Sequence, residues 1–302
     1  MARHWRLRHG WGCLNTGLDS FDRLIFLELA MAREQMIAGV PVFIEGDGPE
    51  TIVMLHGWPD THRLWDRQVA FFSKRHRCVT MTLPGFGEPG QPRGYTLEHV
   101  VSVIERVVAA VSPNEKVTLM LHDWGCVFGY QFAMQHPERV SRMVAIDVGD
   151  ANSPAFKQSL SIVAHAMVFT YQIILAWAWY IGGAIGDGLT RGMAKALQPK
   201  VDTRHVHAGM NYPYAMRWMK AFGGFDSIGQ IEPLCPFFYA FGRNKPFMFH
   251  SEQWVTGLAK RSGNAVQGFD SRHWVMVDCA DEFNAAVAAW LAASSAENVV
   301  SG

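Results

Sequence analysis

The strongest chemical signal in this chain is the pentapeptide Leu121-His122-Asp123-Trp124-Gly125. An apolar, β-type run at residues 116–121 leads straight into it, and a helical pattern at 126–135 follows. Strand, tight turn and helix in that order make a nucleophile elbow, whose central side chain is held exposed above the end of a sheet. That side chain is Asp123. A carboxylate is already ionised at neutral pH and can attack an electrophilic carbon directly, without the activating base a serine needs. The product is an ester between enzyme and substrate, which water must then open.

The elements that must position this turn are legible on both sides of it. Apolar runs of strand length occur at residues 40–44, 51–55, 78–83, 116–121, 143–146, 237–241 and 265–269, with helical patterns between most of them. Within 96–111, Val100, Val101, Ile104, Val107, Val108 and Val111 recur at helical spacing and predict a core-facing helix. A last helix is expected over 281–293, with Asp281 near its start, where an acid suits the helix dipole, and Phe283, Val287, Trp290 and Leu291 on one side. Such alternation implies an α/β fold built on an open, mostly parallel sheet covered on both faces. One interval breaks it. Residues 151–233 carry no strand pattern and are rich in Trp, Met and Ala, which reads as a helical insertion into a core of 36–150 and 234–302. Residues 1–35 read as an N-terminal extension, and the stretch after Ala293 as solvated chain.

Composition narrows the function classes. The chain has 302 residues, 49% hydrophobic, with 27 basic and 27 acidic side chains and no net charge. It lacks the basic excess that marks a nucleic-acid binder. Five scattered cysteines without Cys-x-x-Cys spacing read as reduced and mostly buried, which fits the cytoplasm. The stretch 158–186 contains no Lys, Arg, Asp or Glu and is long enough to span a membrane. His165, Thr170, Tyr171 and Gln172 near its middle and the Gly182-Gly183 break argue instead for buried helices roofing an apolar site.

With the elbow in place the sequence resembles the α/β-hydrolase fold, and within it the epoxide hydrolases and haloalkane dehalogenases, whose elbow carries Asp. His56-Gly57-Trp58-Pro59 follows the second strand as the family's oxyanion loop does, Leu83-Pro84-Gly85-Phe86-Gly87 follows the next, and His273-Trp274 follows the last, where the family places its general base. The resemblance implies that Asp123 is the nucleophile, that the backbone N–H groups of Trp58 and Trp124 stabilise the oxyanion, and that His273 takes a proton from the attacking water. The chain departs from the commoner pattern at the third member of the triad. Gly242-Arg243-Asn244-Lys245-Pro246 has a lysine where an Asp often stands, and a lysine cannot accept the imidazole N–H. Some members carry the acid after the strand that follows the nucleophile helix. That points to Asp147, with Asp150 and Asn244 as alternatives. Two further departures are Leu121, where the elbow often has Gly, and Thr82, where Asp often precedes the Pro84 loop.

The insertion decides the substrate class. Related epoxide hydrolases use two tyrosines to hold and protonate the epoxide oxygen. Phe169-Thr170-Tyr171-Gln172 resembles the setting of the first, while the second is replaced by Met219 in Met216-Arg217-Trp218-Met219-Lys220, so that Tyr171 acts alone or with Tyr212 or Tyr214 supplying the other hydroxyl. A dehalogenase would instead need donors around a halide, Trp124 with a second Trp or an Asn, and Trp177, Trp179 and Trp218 are available. The Trp after His56-Gly57 looks more like the epoxide hydrolases. The expected ligand is a small lipophilic molecule, no metal or organic cofactor is called for, and neither a nucleic-acid partner nor a membrane span is expected. A non-catalytic binder on the same fold is the rival reading; Lys245 favours it, and Asp123 together with His273 opposes it.

Overall fold

In a computed structural model of the chain, the described residues form eight strands in one sheet, ordered β1-β2-β4-β3-β5-β6-β7-β8. The structure describes residues 33–87, 94–198, 202–225, 228, 231–232 and 234–300, the side chains of 295–300 excepted. β1 (Arg33–Ile37) and β2 (Val40–Glu45) form an antiparallel hairpin, and β2 also runs antiparallel to β4 (Arg77–Met81). All other pairings are parallel: β3 (Thr51–Leu55) lies between β4 and β5 (Val117–His122), followed by β6 (Val140–Ile146), β7 (Phe237–Gly242) and β8 (Ala265–Phe269). Every apolar run read from the sequence is one of these strands. β1 escaped because Arg33-Glu34-Gln35-Met36 is an exposed edge with no apolar alternation.

The sheet separates two apolar layers by the strands' period of two. Val53, Leu55, Leu119, Leu121 and Ala145 face one layer, with α2 (Leu97–Val111) and α3 (Trp124–Gln135). Ile52, Met54, Met120, Val144 and Ile146 face the other, with α1 (Asp66–Phe72), α9 (Val275–Asp278) and α10 (Ala280–Val300). Burial on both faces is why these strands read as unbroken apolar runs. All six valines and isoleucines expected to face the core from α2 are buried, and Thr96 caps the helix by accepting from His99 N–H. α10 runs on to Val300, so the stretch after Ala293 is helix and not the solvated chain expected.

Between β6 and β7 the chain forms α4 (Pro154–Ser159), α5 (Ile162–Ile181), α6 (Gly183–Leu197) and α7 (Tyr212–Met219), with no strand among the described residues. α8 (Glu252–Ala259) joins β7 to β8. Gly182 and Gly183 both have positive φ, which sets the corner between α5 and α6. α5 corrects an expectation. Its Leu175, Ala176 and Ala178 are buried, but Ile162, Val163, Phe169, Trp177, Tyr180 and Ile181 are exposed, so it is not the buried helix foreseen. Its 20 residues are long and apolar enough to cross a membrane by length and composition. Of the cysteines, Cys78 and Cys126 are buried and Cys235 and Cys279 half-buried, all as free thiols; Cys13 and most of the expected N-terminal extension, residues 1–32, lie outside the described residues.

Candidate active site

Asp123 follows β5 directly and caps α3 with φ 53° and ψ −121°, a conformation that a residue other than glycine adopts only under constraint. The constraint is close packing of backbone at the C-terminal ends of β3 and β5. A Cβ on Gly57 would lie 2.3 Å from Asp123 Oδ1 and 2.5 Å from Trp124 N, and one on Gly125 would lie 2.2 Å from the Leu55 carbonyl. Leu121 is accommodated by the helix beyond the turn, since a Cβ on Gly129 would meet its side chain at 2.5 Å. Thr82 is likewise absorbed, its hydroxyl lying 2.8 Å from His62 Nδ1.

The loop His56-Gly57-Trp58-Pro59 after β3 is held from behind by the His56 ring. Its Nδ1 donates to the Gly57 carbonyl at 2.9 Å and its Nε2 accepts the Leu83 N–H at 2.9 Å, which requires a neutral ring. Burial enforces that, lowering its pKa to about 3. The loop then presents the Trp58 N–H to Asp123 Oδ1 at 2.7 Å. The Trp124 N–H, in the first turn of α3 where helix donors lack intrahelical acceptors, lies beside the same carboxylate.

Asp123, His273 and Asp147 come together. His273 Nε2 is 3.4 Å from Asp123 Oδ2, and His273 Nδ1 hydrogen-bonds Asp147 Oδ2. Asp147 is fully buried and follows β6; its Oδ1 accepts the Gly242 N–H at 3.0 Å and pairs with the Lys245 ammonium. β6 and β7 are neighbours, so an acid after β6 and a residue after β7 meet at one point. Lys245 therefore stands against the carboxylate rather than in place of it. The two fallbacks are elsewhere. Asp150 is bound by Ser153 and by the N–H and hydroxyl of Ser251, and Asn244 donates to Asp270.

The electrostatics follow from these contacts. Burial by itself would lower the His273 pKa, but the charges and bonds of Asp147 and Asp123 outweigh it and raise it to about 9. Burial would raise both carboxyls, yet His273 holds Asp123, and Lys245 with His273 holds Asp147, below the usual range. Burial lowers the Lys245 ammonium, and Asp147 opposes it. Two groups unremarked in the sequence lie alongside. Burial pushes Asp60 up to about 7 against the bond it accepts from Trp274 Nε1 at 2.8 Å, and lowers His122, whose Nε2 faces the His273 carbonyl at 3.2 Å, to about 3.

Above Asp123 lie two chambers, an inner one of about 60 Å³ towards Val127, Phe156 and Phe225 and an outer one of about 880 Å³ towards Ile162, Met167 and Leu197. Asp123, Tyr171, Tyr214 and Phe249 border both. The rings of Tyr171 and Tyr214 are 6.2 Å apart and edge-on, and burial raises both phenols well above their usual pKa, keeping them as O–H donors. Tyr171 has a partner that residue types alone did not reveal. Gln172 Nε2 donates to its oxygen at 3.0 Å, and Gln172 Oε1 accepts from Trp218 Nε1 at 3.0 Å, so the Tyr171 hydroxyl proton is left to point elsewhere. Tyr212 faces away, against Phe86 and Tyr95. Trp177, Trp179 and Trp218 border neither chamber. Trp58 Nε1 is taken by Asn211 at 2.7 Å, which ties the insertion to the loop after β3. Among the described residues no three His, Cys, Asp or Glu are grouped to hold a metal.

A family model described as the alpha/beta hydrolase fold matches residues 50–177. The probable oxidoreductase EphD of Mycobacterium tuberculosis is 37% identical over 98 residues, 31% of this chain and 16% of that protein. The cis-3-alkyl-4-alkyloxetan-2-one decarboxylase of Shewanella oneidensis is 31% identical over 117 residues, 37% of this chain and 36% of the relative. Epoxide hydrolase 2 of Caenorhabditis elegans is 31% identical over 126 residues, 41% and 34% of the two chains. The chain thus spans well under half the length of these curated relatives. Among solved structures, the Bacillus megaterium epoxide hydrolase in complex with an inhibitor aligns with a TM-score of 0.63 at 19% identity, covering 86% of this chain and 99% of that one. Epoxide hydrolase VrEH1 from Vigna radiata aligns at 0.61 and 16%, covering 88% and 98%. At such identities the likeness is one of fold.

Proposed function

We propose that this chain, which has the α/β-hydrolase fold, is a hydrolase that opens a lipophilic epoxide to a diol through an ester on Asp123. The observation that carries the reading is the setting of one carboxylate. Asp123 Oδ1 takes the Trp58 N–H at 2.7 Å, Oδ2 faces His273 Nε2 at 3.4 Å, and the same side chain borders a cavity shared with Tyr171 and Tyr214.

Asp123 attacks a ring carbon, and the carbon–oxygen bond that breaks leaves an alkoxide, which takes a proton from Tyr171 or Tyr214. Forming the ester removes the Asp123 charge that helped raise His273. Its pKa falls, and the proton it gives up restores the phenol. Neutral His273 then takes a proton from water, which adds to the ester carbonyl while the N–H groups of Trp58 and Trp124 hold the developing oxyanion. Asp147 holds the imidazole in register. Collapse releases the diol, so epoxide and water are consumed and the enzyme is restored.

Release of halide is the less favoured reading: none of the three candidate second tryptophans borders the chambers, which leaves Asn152 or Asn244 as the second halide donor, whereas Tyr171 and Tyr214 border both. One further observation supports a second reading. Asp123 lies where the two chambers meet, so a strained ring with a substituent in each is accommodated, and the oxetan-2-one named for one relative is such a ring. The test is a product assay on 1,2-disubstituted epoxides, bromoalkanes and 3,4-dialkyl oxetan-2-ones. Diol from the epoxides is expected. Bromide release without diol transfers the function to dehalogenation, and alkene with carbon dioxide transfers it to the oxetanone reaction.

A further inference from the structure

The outer face of the insertion is apolar where a water-facing surface is not. Ile162 is 89% exposed, Ile185 69% and Tyr180 62%, and Val163, Trp177 and Ile181 are exposed as well. Apolar patches larger than a few hundred Å² on a folded surface mark sites for a protein partner or a membrane. This face is continuous with the substrate cavity, since Ile162, Val163 and Met167 from the start of α5 and Leu197 from the end of α6 both border the outer chamber and lie exposed.

Charge distinguishes the two kinds of partner. The insertion, residues 151–233, carries seven Lys and Arg but four acids, Asp187, Asp202, Asp226 and Glu232, an excess of three positive charges in a chain whose total is zero. Two of the acids are engaged by arginines, Asp187 by Arg191 at 3.8 Å and Asp202 by Arg204 at 2.5 Å. Lys157, just before α5, and Lys195, near the end of α6, are exposed beside the helix ends that form the cavity mouth. An apolar centre with Trp and Tyr, bordered by basic residues, is how a helix lying in the headgroup region of an anionic bilayer is composed. α5 is not free to cross the membrane. Gln172, Leu175, Ala176 and Ala178 are buried against the rest of the fold, and Gln172 bonds both Trp218 and Tyr171.

We propose that α5 and α6 dock this protein flat on an anionic lipid bilayer, with Ile162, Trp177, Tyr180, Ile181 and Ile185 in the interface and the cavity mouth opening towards the lipid. The claim concerns a surface and is read by binding, so it stands or falls apart from the chemistry proposed for Asp123. The experiment is co-sedimentation of the full chain with phosphatidylcholine vesicles, with and without phosphatidylglycerol. Wild type is expected to pellet with the anionic vesicles, less with phosphatidylcholine alone, and less at high salt. The triple variant Trp177→Ser, Ile181→Ser, Ile185→Ser should bind about tenfold more weakly or worse, given the apolar area it removes. Met36→Ser, which removes an exposed apolar side chain from β1, should bind as wild type does. Circular dichroism of the triple variant checks that it is folded. Wild type left in the supernatant with both vesicles overturns the proposal. So does a lipid-free dimer in sedimentation velocity that the triple variant converts to monomer, because a second copy would then be what covers the face.

Discussion

Replacing Lys245 by methionine isolates what a cation does on the carboxylate that holds the base. Lys245 Nζ and His273 Nδ1 engage the two oxygens of Asp147. A carboxylate between them sets the two positive groups roughly 5–6 Å apart, and at an effective dielectric of about 20 they repel by about 3 kcal/mol. The Lys245 side chain is only 6% exposed, so solvent screens little of this. At about 1.4 kcal/mol for each pKa unit, the lysine lowers His273 by up to about 2 units. Removing it raises the imidazole pKa, while ester hydrolysis needs the neutral ring. The rate of that step therefore rises with pH later, its limb moving about 1–2 units to the alkaline side in Lys245→Met. Lys245→Arg keeps the charge and should keep the limb. The assay is single-turnover decay of the ester across pH, with circular dichroism to verify the fold. A limb that stays in place or moves to the acid side refutes the reasoning.

Tyr171→Phe and Tyr214→Phe should each slow epoxide turnover about 10²-fold by removing a proton donor, while Tyr212→Phe, whose buried hydroxyl has no partner among the described residues, should leave rate and melting temperature nearly unchanged; equal rates in all three by steady-state assay would remove the tyrosines from the mechanism. Gly129→Ala should destabilise by about 1–3 kcal/mol in urea titration through overpacking against Leu121, and adding Leu121→Ala should recover part of that loss; full additivity of the two would show that the side chains do not meet. His273, raised from 6.5 to about 9, binds a proton in the folded state that the unfolded chain releases. Its stabilisation is complete below pH 6.5 and is lost as pH rises to about 9, by up to about 3 kcal/mol. Urea midpoints should fall over that range in wild type and stay flatter in His273→Gln, and parallel curves would contradict the raised pKa.

How far the sequence could be read differs by element, for physical reasons. Strands buried on both faces announced themselves as apolar runs, and β1, exposed at the edge, did not. The elbow was legible because strand, Asp and helix are adjacent in the chain. The partnership of Lys245 with Asp147 was not, because it depends on β6 and β7 lying side by side, 98 residues apart at the contact. Tyr212 and Tyr214 were indistinguishable, since two residues on a helix lie nearly opposite and nothing local says which faces the cavity. A uniformly apolar helix has no polar face to mark its outer side, so α5 was read as buried when half of it is not.

The proposed hydrolysis requires a covalent bond to Asp123, and the most direct measurement is mass spectrometry of the peptide containing it after turnover of an epoxide in oxygen-18 water. Water that attacks the ester carbonyl leaves its oxygen in the carboxylate, so the Asp123 peptide should gain solvent label over many turnovers, and in His273→Gln the unopened ester should appear on the same peptide instead. An Asp123 peptide that stays unlabelled while diol accumulates would mean that water attacks the substrate directly, and the central claim would be wrong.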